Sequence, residues 1–163
     1  MLAASLFFYL CFDVRYVAFL ALSVLTSYGA ARYMAGQAAP GRRRAALWGA
    51  IGLNVGLLVF LKYFNYSVSL LNLLAQRLGI PMHLYGLELI VPIGISFYTL
   101  QIVGYLVDVY RGRTAPERNL AKYALFVSFF PQILQGPIPR FDQLAPQLCA
   151  PHRFEYVRFK GGL

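Results

Sequence analysis

The sequence predicts an all-α integral membrane protein, a multi-helix transmembrane bundle. Three observations predict it. Hydrophobic residues make up 59% of the 163 residues and charged residues 13%, about half the charged share of a soluble domain. The apolar residues gather into five runs, several of the length that crosses a bilayer, about 20 residues. The basic residues stand in short clusters between those runs: Arg42 to Arg44, Arg111 with Arg113, Arg118 with Lys122, and Arg153 with Arg158 and Lys160. Such clusters mark cytoplasmic loops beside anionic headgroups. The formal charge of +9 therefore points to a lipid bilayer as partner and not to nucleic acid. Disorder is excluded by the high hydrophobicity. Cys11 and Cys149 are too few and too far apart for a disulfide framework.

The elements follow in order. Residues 1–12 are apolar but too short to span, and no basic residue precedes them as in a signal peptide. They are expected to be a truncated spanning helix. Residues 16–34 are long enough to cross. Residues 45–62 also cross, ending at Lys62, whose stem can snorkel to the interface where Tyr63, Phe64 and Tyr66 collect. Residues 63–87 are expected to form an outer loop with an interfacial helix, turning at Gly79-Ile80-Pro81. Residues 88–110 cross again, with an irregular start at Pro92 and Gly94 where Ser96, Tyr98 and Thr99 can re-satisfy freed backbone groups. Gly49, Gly52 and Gly56 allow close helix approach, for which packing within the chain outweighs dimerisation.

Orientation follows from the basic clusters. Arg42 to Arg44 set their loop in the cytoplasm, and Arg111 and Arg113 return there. Residues 120–138 break the alternation, because a full crossing would place Arg140, Arg153, Arg158 and Lys160 outside. They also hold Pro131 and Gly136-Pro137, which disrupt a helix. A re-entrant segment is expected, with residues 139–163 cytoplasmic. Broken backbone at membrane depth survives where protein buries it or where it lines a cavity.

Phosphate-binding loops, Cys-x-x-Cys and His-Glu-x-x-His are absent, so no metal site is expected. His83 precedes Glu88 by five residues, and a carboxylate can orient an imidazole as a base. The weightier reading of His83 is a solvated interfacial histidine, and His152 sits in a basic tail. Asp108 lies three residues before Arg111, a spacing that pairs side chains on one helix face. The pair is either an interfacial anchor or part of a cytoplasmic vestibule. Gln101, Gln132 and Gln135 interrupt apolar runs, and each needs a partner in packing or along a polar channel. Arg140 is either a positive-inside anchor or a contact for an anionic donor. Asp108, Arg111, Gln132, Gln135 and Arg140 are thus the candidates for shaping a cavity or donor site.

Three ordered blocks carry a resemblance. They are Val91-Pro92-Ile93-Gly94-Ile95-Ser96-Phe97-Tyr98-Thr99-Leu100-Gln101, then Tyr105-Leu106-Val107-Asp108-Val109-Tyr110-Arg111-Gly112. The third is Phe126-Val127-Ser128-Phe129-Phe130-Pro131-Gln132, leading into Gly136-Pro137-Ile138-Pro139-Arg140. With Leu61-Lys62-Tyr63-Phe64-Asn65-Tyr66, they resemble the membrane-bound O-acyltransferase family. The resemblance is to its branch containing the membrane subunit of alginate O-acetyltransferase, and it runs from about Ser5 to the C-terminus.

The resemblance implies a partial membrane-bound O-acyltransferase fold in a bacterial inner membrane. An acyl group, acetyl foremost, would pass from a cytoplasmic donor such as acetyl-CoA or an acyl-carrier thioester towards a hydroxyl of an exported polysaccharide. No tightly bound cofactor is implied, and exported acetyltransferase partner proteins are. The family's histidine follows a Trp-Arg-Arg-Trp-type motif, whereas the one tryptophan here is Trp48. No catalytic residue is therefore assigned to this chain. It is expected to be an N-terminal fragment, inactive alone. The alternative is a small non-enzymatic scaffold or binding subunit of an export complex.

Overall fold

The structure, a computed structural model, describes residues 1–78, 91–135 and 139–150; within them the side chains of Asn65, Ile133, Leu134, Gln135 and Cys149 are left aside. The described residues form α-helices and the links between them. These are α1 (Leu2–Leu10), α2 (Val14–Gly36), α3 (Pro40–Arg77), α4 (Ile95–Tyr110), α5 (Leu120–Ser128), α6 (Phe130–Gln135) and α7 (Phe141–Cys149). His83, Glu88, His152 and the turn at residues 79–81 lie outside the described residues.

Local chemistry fixes most helix starts. Asp13 caps α2, its Oδ1 accepting from the Arg15 N–H at 2.7 Å, and Asn119 caps α5, accepting from the Ala121 and Lys122 N–H groups. Such caps satisfy donors that a helix leaves open. Pro40 opens α3, a position where a missing N–H costs nothing. Gly94 precedes α4 with φ 76°, a left-handed turn suited to glycine.

Two helices are long and apolar enough to cross a membrane, by length and composition: Val14–Gly36 and the Pro40–Phe64 part of α3. Their most apolar windows are only 28% and 22% buried. The core helix of a soluble protein would be mostly buried. Here Leu22, Leu25, Trp48, Leu53, Val59 and Phe60 face outward.

Two expected boundaries are corrected. α3 continues through Lys62 to Arg77, so residues 63–77 extend the same helix and do not form a separate interfacial one. No glycine or proline stands between Gly56 and Gly79 to stop it, and its 38 residues reach about 57 Å at 1.5 Å per residue. The apolar run expected at 88–110 is helical from Ile95 to Tyr110, 16 residues. That is about 24 Å, short of the roughly 30 Å hydrocarbon core.

α4 is the hub. It packs on α2, α3 and α5 and buries Ile95, Tyr98, Ile102, Tyr105, Leu106 and Val109. α3 presents Leu47, Ala50, Asn54, Leu61, Val68 and Ala75 as one buried stripe, at the spacing of one helix face. α2 presents Ser23, Ser27 and Ala31, all buried. These small residues, four apart, allow close approach. The glycines expected to do so, Gly49, Gly52 and Gly56, face open space instead: a Cβ added at any of them meets nothing within 4 Å. The sequence singled out the glycine stripe, and packing uses the stripe on α2 instead.

The chain from α5 to α7 leaves one end of the bundle and comes back. At Asn119 it stands beside Tyr28 of α2 and Tyr105 of α4, whose hydroxyls bond Arg118 and Glu117. By Phe130 it has reached α1, stacking on Phe8 at 4.8 Å. The helix breaks at Phe129, and Pro131 sits in the first turn of α6. Phe141 then opens α7 back against Tyr105, at 5.0 Å between ring centroids.

Candidate functional site

The C-terminal end of α4 organises the site. Gly112, at φ 72°, reverses the chain so that the Arg113 N–H bonds the Asp108 carbonyl at 2.9 Å and the Gly112 N–H bonds that of Val109 at 3.1 Å. This is a Schellman closure, which needs a left-handed residue after the helix. Gly112→Ala is expected to cost about 1–2 kcal/mol, lowering the melting midpoint of the purified chain in detergent. Gly29→Ala, helical and facing open space, should not lower it.

The reversal lays Arg113 over Asp108, with Nη1 3.8 Å from Oδ1. Asp108 therefore pairs with Arg113 and not with Arg111, as the sequence spacing suggested. The reason is the turn: the residue after the glycine lands above the third-last helical residue, while Arg111 points elsewhere. The pair is partly exposed, 55% and 15% for the two side chains, and such contacts contribute about 0–1 kcal/mol.

Beyond Arg113 the loop is held by tyrosines. The Tyr105 hydroxyl accepts from the Glu117 N–H at 2.9 Å, and the Tyr28 hydroxyl donates to the Arg118 carbonyl at 2.6 Å. Glu117 Oε1 accepts from the Arg118 and Asn119 N–H groups. On the other flank, Arg43 at the start of α3 donates from Nη2 to the Tyr110 carbonyl at 2.9 Å. Its guanidinium also lies 5.6 Å from the Tyr110 ring centroid. The start of α3 and the end of α4 thus meet at one end of the bundle.

Phe141 brings Pro139 and Arg140 to the same end. A cavity of about 360 Å³ opens there, lined by Asp108, Arg111, Arg113 and Arg140, with Gln101 and Gly104 further along α4. Three guanidinium groups face one carboxylate. Asp108 is engaged by Arg113, and neither Arg111 nor Arg140 has an ion-pair partner among the described residues. Cations at a helix C-terminus also sit in its favourable field. Gln101 is 4% exposed, and its amide oxygen has no partner among the described residues. It lies seven residues before Asp108, about 10 Å down the helix. The cavity therefore offers positive charge at its mouth and an open hydrogen-bonding amide at depth.

Of the five residues singled out from the sequence, the structure brings Asp108, Arg111 and Arg140 into this cavity. Gln132 is half-buried on α6 and does not line it. Gln135 ends α6, and its side chain is outside the described ones. Arg113 and Gln101 belong to the cavity although neither was among the five. The glycine after the last apolar position was a signal for Arg113, because it marks a helix stop with reversal. Among the described residues, no cluster of His, Cys, Asp or Glu is arranged to hold a metal.

No family model matches the chain, and no solved structure matches it. Relatives do. The chain is 36% identical over 149 residues to a probable alginate O-acetylase of Pseudomonas putida, covering 90% of this chain and 30% of that protein. It is 34% identical over 149 residues to the probable alginate O-acetylase of Azotobacter vinelandii, with the same coverage of 90% and 30%. It is 34% identical over 170 residues to a peptidoglycan O-acetyltransferase of Helicobacter pylori, covering 88% and 31%. The chain thus spans about 30% of the length of these relatives. Over nine tenths of its own length, this chain is similar to one stretch of longer proteins named as O-acetylases of alginate.

Proposed function

We propose that the chain is part of a membrane-bound O-acyltransferase of a bacterial inner membrane. In this reading an acetyl group passes from a cytoplasmic thioester, acetyl-CoA or an acyl carrier, towards a hydroxyl of an exported polysaccharide, with exported partner proteins completing delivery. The observation that carries it is the basic cavity at the end of α4. Arg111, Arg113 and Arg140 gather there beside Asp108, in a stretch that matches proteins named for O-acetylation. Guanidinium groups suit the phosphates of such donors.

Transfer breaks the thioester C–S bond and forms an ester at the hydroxyl oxygen, and the donor leaves as its free thiol after taking a proton. The hydroxyl proton must go to a base, and a positioned histidine serves well near neutral pH. In this reading the base comes from outside this chain. The chain alone is then expected to transfer no acetyl group.

A chimera tests the reading. This chain replaces the matching 149 residues of the Pseudomonas putida relative, and acetyl esters on the exported polysaccharide are measured. Restored acetylation supports it. A chimera that inserts normally yet acetylates nothing counts against it. So does acetyl transfer by the isolated chain that His83→Ala abolishes.

Topology is tested separately. Cys11, exposed in the link after α1, is expected outside, and Cys149, at the end of α7, inside. An impermeant thiol reagent applied to intact cells should label Cys11 at once and Cys149 only after permeabilisation. Labelling of Cys149 in intact cells would refute the re-entrant reading of residues 120–138.

A further inference from the structure

A second cavity lies between α3 and α4, about 340 Å³, sharing only Val107 and Arg111 with the first. Arg44 and Arg111 supply its charge, and Leu47, Trp48 and Ile51 of α3 supply an apolar wall. No acidic residue among the described ones lines it. Neither Arg44 nor Arg111 has an ion-pair partner among the described residues. The neighbouring Arg43 is differently employed, bonding the Tyr110 carbonyl and so holding the two walls together. Its Nε is buried without a partner among the described residues, an open donor beside the same charge. Trp48 is 62% exposed. The wall continues along the same face of α3 into exposed Val55 and Val59. Tryptophan gathers at the membrane interface, and a basic pocket between helices on the cytoplasmic side suits an anionic headgroup.

We propose that this groove binds one anionic phospholipid of the inner leaflet. Its phosphate lies between Arg44 and Arg111, and its acyl chains lie along Leu47, Trp48 and Ile51. The shared chemistry is a phosphate. A lipid source is favoured because the groove opens onto the exposed apolar face of α3 and not into an enclosed aqueous pocket. The inference rests on the membrane reading above. It also gives Arg111 two neighbours, an anionic lipid on one side and the basic cavity on the other.

Trp48 is the one tryptophan in the chain, so its fluorescence reports occupancy directly. The full chain is reconstituted with phosphatidylcholine and increasing phosphatidylglycerol carrying brominated acyl chains, which quench a tryptophan they touch. Half-quenching is expected at a severalfold lower mole fraction than with brominated phosphatidylcholine. Arg44→Gln should raise that fraction about fivefold, the factor one basic residue contributes at an anionic surface, and leave quenching by phosphatidylcholine unchanged. Equal quenching by the two lipids overturns the site and keeps the membrane reading. No quenching by either overturns the membrane reading itself. Recovery of fluorescence on adding millimolar inorganic phosphate overturns the lipid source and leaves a soluble phosphate as the ligand.

Discussion

Tyr123→Ala should be the most destabilising single substitution among the aromatic residues of the bundle. Tyr123 is fully buried. Its ring lies 4.7 Å from that of Tyr105, 5.9 Å from Tyr28 and 6.3 Å from Phe141, and its hydroxyl donates to Ser27 Oγ at 2.8 Å. It therefore joins α2, α4, α5 and α7 at one point. Truncating a large buried aromatic costs about 3–5 kcal/mol. In a membrane the loss comes from packing and not from water exposure, because the cavity left behind has no partner atoms. Tyr123→Phe keeps the ring and removes one donor, for about 1 kcal/mol. The melting midpoints of the two variants in detergent check the order. A Tyr123→Ala midpoint equal to that of Tyr123→Phe would show that the ring cluster does not hold the bundle together.

Arg111→Ala with Arg140→Ala should give the largest loss of function. Among the described residues neither guanidinium has a carboxylate partner, and each lines the cavity at the end of α4. A hydrogen bond to a charged group is worth about 1.5–3 kcal/mol, so each single change should lower kcat/KM for the donor about 10-fold to 100-fold. The double variant should lose more. The assay is the initial rate of acetyl ester formation by membranes bearing the chimera, at varied donor concentration. Arg42→Ala serves as the control, since Arg42 is exposed and lines neither cavity. A loss confined to KM would assign the arginines to donor capture, as proposed. Unchanged acetylation in the double variant would remove this cavity from the reaction.

The helical, apolar character of the chain was legible in the sequence because it depends on composition and period. Apolar runs interrupted by Arg42 to Arg44 and by Arg111 with Arg113 required no contact information. The irregular start at Pro92 and Gly94 was legible for the same reason, since glycine and proline act on the local backbone. The break near Pro131 was legible too. The full length of α3 was not, because Lys62 with three aromatics has the composition of an interface. Composition does not stop a helix, and no backbone-breaking residue follows until Gly79.

What the sequence by itself determined, then, is an apolar helical chain, its basic clusters and the interruptions near Gly94 and Pro131. The tertiary structure alone decided which residues meet. It chose the Ser23, Ser27 and Ala31 stripe over the glycines of α3. It gave Asp108 to Arg113 through the turn at Gly112. It returned Arg140 to Arg111 through the wedge of Phe141 against Tyr105. The physical reason is separation along the chain. Helix period and stop signals act over a few residues, whereas Arg111 and Arg140 line one cavity only because Phe141 packs back against Tyr105.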